Sequence, residues 1–441
     1  MARSLFGTDG VRGVANAELT AKLAFTLAQA AGSGLTDSVL IGRDTRQSGP
    51  MLAQALHAGF NSVGVDSVDL GVIPVGGVAR LTQASDAGLG VMVSASHNPA
   101  ADNGIKLIGA DGNKLSDARE LEISDVYFAI DSGASEPVLP TGSAVGTSQP
   151  DADGRSKYLA LLEGRATQRL DGISVVADCA NGAASEYAGP IFETLGADVE
   201  VRFASPTGMN INDGCGATHP ETLAANLNGR IGFCFDGDAD RCIAVDEQGA
   251  VLNGDVIMAI LGRHMKSAGT LANDTLVATV MSNLGFKIAM RELGIAVIET
   301  SVGDRYVLEE MQRSGATLGG EQSGHVVLED RLSGDGLQTA VRLAGVVAAT
   351  GQPLSELRRV MRQFPQVLEN VTVRDRTALD GAAAVWDAVH TAEEQLGDEG
   401  RVLVRASGTE PLVRVMVEAA SADSARQHAA AISHVVISEL G

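Results

Sequence analysis

One unit recurs three times in this sequence: a helical stretch, a glycine, a short strand, then a polar or glycine-rich loop. The copies centre on Gly64, Gly196 and Gly294. In the first, hydrophobic spacing predicts a helix over Met51 to Val63, a stop at Gly64, and a strand over Val65 to Leu70 that leads into Gly71-Val72-Ile73-Pro74. The second passes through Phe192 and Leu195 into Val199-Glu200-Val201, and the third through Leu293 into Val297-Ile298-Glu299. Strands alternating with helices imply parallel sheets wound by right-handed crossovers, so the expected class is α/β.

Each copy is followed by a further strand that runs into a loop dense with functional side chains. Val91-Met92-Val93 precedes Ser94-Ala95-Ser96-His97-Asn98-Pro99, and Gly232-Phe233-Cys234-Phe235 precedes Asp236-Gly237-Asp238-Ala239-Asp240-Arg241. Thr317-Leu318 precedes Gly319-Gly320-Glu321-Gln322-Ser323-Gly324-His325. Open α/β sheets bind ligands at the carboxyl ends of their strands, so three such loops imply one shared cleft. The segment from Asp131 to Arg155 is rich in Gly, Ser, Pro and Asp without helical period, and marks a boundary or a turn-rich connection. A second boundary is expected near Gly249. After Gln363-Phe364-Pro365-Gln366 the pattern changes to Val371-Thr372-Val373, a helix around Ala382 to Gln395, Val402-Leu403-Val404, and the alternating run Val413 to Val417. The expected organisation is three related α/β domains with mixed or parallel sheets over 1–153, 154–250 and 251–366, with a C-terminal α+β domain over 367–441, around a central cleft. A chain of 441 residues accommodates this at about 100–200 residues per domain.

Charge narrows the ligands. Lys and Arg total 33 against 55 Asp and Glu, a net charge of −22, so no bulk basic field exists to hold nucleic acid or an anionic membrane. An anionic ligand must be met by a local positive pocket. The opening Met1-Ala2-Arg3-Ser4-Leu5-Phe6-Gly7 lacks the apolar core of a signal peptide, and no apolar run reaches the roughly eighteen residues of a membrane span, which reads as a soluble cytoplasmic protein. Cys179, Cys215, Cys234 and Cys242 show no zinc or redox spacing and are expected to be buried free thiols.

The loop from Asp236 to Arg241 sets three carboxylates at alternate positions directly after a strand, a donor set that suits a hard divalent cation and leaves positions open for water or phosphate oxygen. The competing reading, a solvated Asp-rich turn, has less in its favour; the loop is too short for an EF-hand and lacks its terminal Glu. Ser96 would sit on a loop at the carboxyl end of a sheet, where a serine can act as nucleophile or phosphoryl carrier. Its neighbour His97 is a weak partner on spacing alone, because adjacent side chains in a strand point to opposite faces. Taken alone the loop reads as a structural turn; a metal loop in the same chain reverses that. Arg405-Ala406-Ser407-Gly408-Thr409-Glu410-Pro411 combines a guanidinium, two hydroxyls and a glycine amide that can close around a phosphate, with Arg414 as a second fork. A polar-rimmed β-turn carries equal weight there. Glu321, Ser323 and His325 offer groups for sugar hydroxyls.

These four loops, in this order, resemble the signature loops of the α-D-phosphohexomutase superfamily, and the likeness spans essentially the whole chain. The opening Phe6-Gly7-Thr8-Asp9-Gly10-Val11-Arg12-Gly13 and the loop GEQSGH, where phosphomannomutase/phosphoglucomutase enzymes have GEMSGH, resemble the bacterial branch that acts on glucosamine phosphates. The resemblance implies interconversion of glucosamine 6-phosphate and glucosamine 1-phosphate, supplying UDP-N-acetylglucosamine synthesis. It implies a phosphorylated Ser96 and one Mg²⁺ per active site held by that phosphoserine with Asp236, Asp238 and Asp240. A sugar 1,6-bisphosphate is the implied intermediate and activator. Arg12 and Arg241 would stabilise the moving phosphoryl, Lys106 or else His325 would serve proton transfer beside it, His97 would join the catalytic set, Glu321 and Ser323 would grip sugar hydroxyls, and Arg405, Ser407, Gly408, Thr409 and Arg414 the distal phosphate. A homodimer is also suggested. One departure is visible: Ala100-Ala101 replaces the usual aromatic after the serine loop. The rival readings are a sister phosphoglucomutase or phosphomannomutase, a metal-dependent phosphatase with Ser96 as nucleophile, and a catalytically silent sugar-phosphate sensor.

Overall fold

The computed structural model of the protein describes residues 4–7, 9–407 and 411–441. The chain groups into two compact units, one formed by residues 1–280 and 295–359 and the other by 281–294 and 360–441.

The three repeated units are present. Helices Gly49–Ser62, Ala188–Thr194 and Leu284–Glu292 each end just before the anticipated glycine, and strands Ser67–Val72, Asp198–Arg202 and Ala296–Thr300 follow. Gly64 and Gly196 take φ of 87° and 94°, a left-handed conformation that costs a Cβ-bearing residue about 1–2 kcal/mol. The residue after each glycine donates back into the helix, Val65 N–H to Phe60 O at 3.1 Å and Ala197 N–H to Phe192 O at 3.0 Å, which closes the helix end and turns the chain into its strand.

The sheets are mixed. In the first, strands run in the order Val11–Val14, Asp102–Gly109, Leu89–Val93, Val39–Arg43, Ser67–Val72, Ser148–Pro150. The strands from Leu89–Val93 onward in that order pair in parallel, and Asp102–Gly109 returns antiparallel. The second sheet places Ile231–Phe235 parallel to Ser174–Asp178 and antiparallel to Cys242–Val245. In the third, Gly319–Gly320 lies parallel to Thr275–Thr279 and antiparallel to Val326–Val327. Each of these three loops therefore joins a parallel strand to an antiparallel return, which makes the sheets mixed. The third of these strands also falls two residues later than Thr317-Leu318. The Asp131 to Arg155 connection carries the edge strand Ser148–Pro150.

The core of the first sheet is Ile41, Val91, Val93, Ile105, Leu107 and helix residues Leu27, Leu52, Leu56 and Phe60, all buried. All four cysteines are free and buried, as expected. Among the described residues no helix is long and apolar enough to cross a membrane. In the second unit, three antiparallel strands, Gln366–Thr372, Leu412–Ala419 and Gly400–Ala406, pack with helices Ala383–Leu396 and Ala422–Leu440 around Val385, Val413, Val415 and Ile432. The last helix had no counterpart in the sequence reading.

A buried polar junction ties three helices of the first unit. Arg80, from Val75–Gln83, meets Asp335 at 3.0 Å and also pairs with Asp330 and Gln338. Tyr158, from Gly154–Glu163, donates to Asp335 Oδ2 at 3.1 Å, and Asp335 caps Gly336–Thr350 by accepting from Gln338 N–H at 3.0 Å. Arg80→Ala would strand two buried carboxylates, and is expected to cost about 3–5 kcal/mol in urea denaturation. An unchanged unfolding midpoint would contradict that role.

Candidate active site

Ser96 leaves the strand Leu89–Val93 in a left-handed conformation, φ 50°. That turn overrides the strand rule that separated Ser96 from His97: Ser96 Oγ lies 3.1 Å from His97 Nδ1 and donates to Asp236 Oδ2 at 2.6 Å. The first and second sheets thus present their loops to one another. The contact is close enough that Gly237 must be glycine, since a Cβ there would stand 2.4 Å from Ser96 O.

Asp236, Asp238 and Asp240 are buried, and one carboxylate oxygen of each lies within 4.8 Å of the others. Burial and the charges of Asp240 and Asp238 push Asp236 well above the carboxylate range. Burial also works against Asp240, yet Lys106, His325 and Arg241 together hold it low. Asp238 Oδ1 and Asp240 Oδ1 are buried without a hydrogen-bond partner. Three mutually repelling carboxylates with unspent oxygens fit a hard divalent cation.

Cations surround this acidic centre. Lys106 Nζ lies 3.0 Å from Asp238 Oδ2, 3.5 Å from Asp240 Oδ2 and 3.4 Å from Asp9 Oδ2; burial opposes its charge, but these carboxylates raise its pKa well above the usual lysine value. Arg12 pairs with Asp9. Arg241 sends its backbone N–H to Asp236 Oδ1 at 3.2 Å, and its guanidinium stands 3.9 Å from Asp240. His97 is driven down to about 4, by burial first and then by the Arg241 charge, so it is neutral at pH 7.

The third loop approaches through an isolated bridge between Arg241 and His325. His325 Nε2 accepts from Gly334 N–H at 3.1 Å, and its Nδ1 stands 3.8 Å from Asp240 Oδ2. Glu321 Oε1 accepts from Gly303 N–H at 3.0 Å. Ser96, His97, Arg12, Asp240, Arg241, Glu321 and His325 all line a cleft of about 720 Å³ within the first unit. Lys106, Asp236 and Asp238 lie buried behind that lining, and Ser323 is also outside it, its Oγ buried without a hydrogen-bond partner.

Residues outside the sequence reading brace the cleft wall. Lys114 bridges Asp9 and Asp304 at 2.6 Å each, a connection across 190 residues that no local pattern announces. Asp9 lay within the quoted opening segment, and Asp304 follows Val302-Gly303 at a helix start.

In the second unit, Arg405 and Arg414 are directly opposed on adjacent antiparallel strands. Like charges so placed repel; burial and the Arg414 charge both lower the Arg405 pKa, and an anion between them would relieve the strain. Ser407 N–H donates to Leu412 O at 2.9 Å, and Arg376, which the sequence reading missed, donates to Ser407 O at 2.6 Å. Gly408 and Thr409 lie outside the described residues.

A serine held against a carboxylate triad inside a cationic rim, with two arginines opposed on adjacent strands elsewhere in the chain, defines a phosphoryl-transfer protein built from α/β domains. Comparison with known proteins narrows this. Models of the four phosphoglucomutase/phosphomannomutase domains match in order: α/β/α domain I over residues 3–134, II over 156–249, III over 253–364 and the C-terminal domain over 368–435. The chain belongs to this phosphohexomutase family. It is 52% identical over 443 residues to the phosphoglucosamine mutase of Rhodococcus erythropolis, covering 98% of this chain and 99% of that one. It is 50% identical over 424 residues to that of Brevibacillus brevis, covering 94% of each. A crystal structure of a phosphoglucomutase/phosphomannomutase family protein from Burkholderia thailandensis superposes with a TM-score of 0.82 at 25% identity, over 99% of this chain and 97% of that one.

Proposed function

We propose that this chain is a phosphoglucosamine mutase, interconverting glucosamine 6-phosphate and glucosamine 1-phosphate through a phosphoserine at Ser96 and a bound 1,6-bisphosphate. The observation that carries the reading is the Ser96 Oγ to Asp236 contact at 2.6 Å beside the buried triad. It is supported by relatives of that name at about half identity over nearly the full chain.

In this reading Ser96 is the phosphoryl carrier. Asp236, Asp238 and Asp240, with the phosphoserine, would hold one Mg²⁺, which supplies charge neutralisation for the transferring phosphoryl when bound. Arg12 and Arg241 line the same cleft and offset developing charge on the phosphoryl oxygens. Proton transfer at the sugar hydroxyl falls to Lys106, His325 or His97, all close to Ser96 or the triad. Lys106 is held charged beside the triad by three carboxylates that raise its pKa, which makes it a poor proton donor while they stay ionised. Glu321 orients sugar hydroxyls from the cleft wall, and Ser323 joins it only if the loop turns its hydroxyl outward. Arg405, Ser407, Gly408, Thr409 and Arg414 grip the non-reacting phosphate, so the sugar must reorient between the two transfers while that grip persists. The four domains follow 1–153, 154–250, 251–366 and 367–441, and the protein works as a cytoplasmic homodimer.

The test is to supply glucosamine 6-phosphate with trace glucose 1,6-bisphosphate and Mg²⁺, and to follow sugar 1-phosphate against inorganic phosphate. The expected product is glucosamine 1-phosphate without phosphate release. Free phosphate would mark a phosphatase, no turnover a sensor, and faster conversion of glucose or mannose phosphates a sister mutase.

Arg405→Ala tests the distal grip. A charge-assisted hydrogen bond is worth about 1.5–3 kcal/mol and is made here in ground and transition states alike, so KM for both sugar phosphates should rise by about tenfold to a hundredfold. Bisphosphate should also escape before its second transfer, leaving activity dependent on added bisphosphate. Unchanged KM in both directions would place the distal phosphate elsewhere.

A further inference from the structure

Ser96 occupies a backbone conformation that a serine rarely holds unaided, and its surroundings over-determine it. Its N–H donates to Ser94 Oγ at 2.9 Å. Its carbonyl accepts from Arg46 at 3.0 Å and from Asn212 Nδ2 at 2.9 Å. Arg46 is fully buried and does not line the cleft. Its guanidinium also donates to Asn98 O at 2.8 Å, to Asp102 O at 3.0 Å and to Pro99 O, so one side chain gathers the carbonyls of the serine and of the loop that follows it. Arg46 Nε donates to Asp44 Oδ2 at 2.9 Å, and the same oxygen accepts from Ser94 Oγ at 2.7 Å. The circuit is closed: Arg46 holds Asp44, Asp44 orients the Ser94 hydroxyl, Ser94 holds the Ser96 N–H, and Arg46 holds the Ser96 carbonyl.

We propose, on the assignment of Ser96 as the phosphoryl carrier, that Arg46 is a positioning residue for the reaction. With Asp44 and Ser94 it locks Ser96 in the left-handed turn that aims Oγ at Asp236. Asp44 and Arg46 come from the end of the neighbouring strand Val39–Arg43, so the sheet itself sets the aim of the hydroxyl. A lysine at position 46 keeps a charge beside Asp44, but its single ammonium cannot reach the carbonyls of Ser96, Asn98, Pro99 and Asp102 together. Because the circuit fixes direction and touches no substrate, its loss acts on turnover and leaves binding alone.

The experiment compares wild type with Arg46→Lys and Ser94→Ala in the full-length protein, assayed on glucosamine 6-phosphate with glucose 1,6-bisphosphate and Mg²⁺. Melting curves and amide hydrogen exchange of the peptide containing Ser96 are recorded in parallel. The expected result is a kcat lowered about tenfold or more, with KM held within about twofold, and faster exchange confined to the serine turn. Ser94→Ala removes only the hydroxyl and leaves the Arg46–Asp44 pair, so it decides the outcome if Arg46→Lys does not fold. A folded Ser94→Ala variant with wild-type kcat, a loss lying wholly in KM, or unchanged exchange at the turn overturns the proposal. A wild type inactive on this substrate would instead overturn the proposed function, while the exchange data would still report on the clamp.

Discussion

Ser96→Ala is expected to lower mutase turnover by about a thousandfold or more while sugar-phosphate binding stays within a few-fold of wild type. The substitution deletes the atom proposed to carry the phosphoryl group. It leaves the turn itself intact, because Arg46, Asn212 and Ser94 hold the backbone of Ser96 and not its hydroxyl. Asp236 loses a 2.6 Å donor, but Arg241 N–H remains on its other oxygen. Steady-state rates with binding calorimetry on the variant check this. Wild-type turnover in a folded Ser96→Ala protein would end the carrier assignment.

Asp238→Asn is the second large effect. It replaces one charged oxygen of the triad by a neutral amide and removes the carboxylate nearest Lys106, at 3.0 Å. Mg²⁺ affinity is expected to fall by about a hundredfold, and turnover at fixed low Mg²⁺ with it. The fold should survive, since Val75 N–H bonds the Asp238 backbone carbonyl and not its side chain. Titrating activity and metal binding against Mg²⁺ provides the check, and an unaltered magnesium dependence would return the loop to a solvated turn.

What the sequence made legible is what short-range pattern can encode. The glycine stops at 64, 196 and 294 were visible because a helix period breaks there and a strand begins. The carboxylate triad was visible because all three members share one loop. Arg405 and Arg414 stood out beside the turn, and the antiparallel register then set them opposite each other. Mixed sheets were within the expectation, but which strands return antiparallel was hidden, because a strand's direction depends on partners far along the chain. The Ser96 and His97 contact was hidden for a different reason: strand alternation ceases to apply once Ser96 adopts a positive φ. Lys114 and Asp304 escaped because they meet across 190 residues, and Arg46 because the carbonyls it holds lie some 50 residues on, where a charged residue looks like any surface charge.

The central claim is that one serine carries the phosphoryl group between two positions of one sugar. Its most direct measurement is intact-mass and peptide-mapping spectrometry of the full-length protein, loaded with glucose 1,6-bisphosphate and then chased with glucosamine 6-phosphate. The account requires a single added phosphoryl on Ser96 that passes to the sugar during the chase, with the other phosphoryl of the bisphosphate returned to Ser96 as glucosamine 1-phosphate forms. Phosphate on another residue, or turnover to glucosamine 1-phosphate with Ser96 never modified, would contradict it.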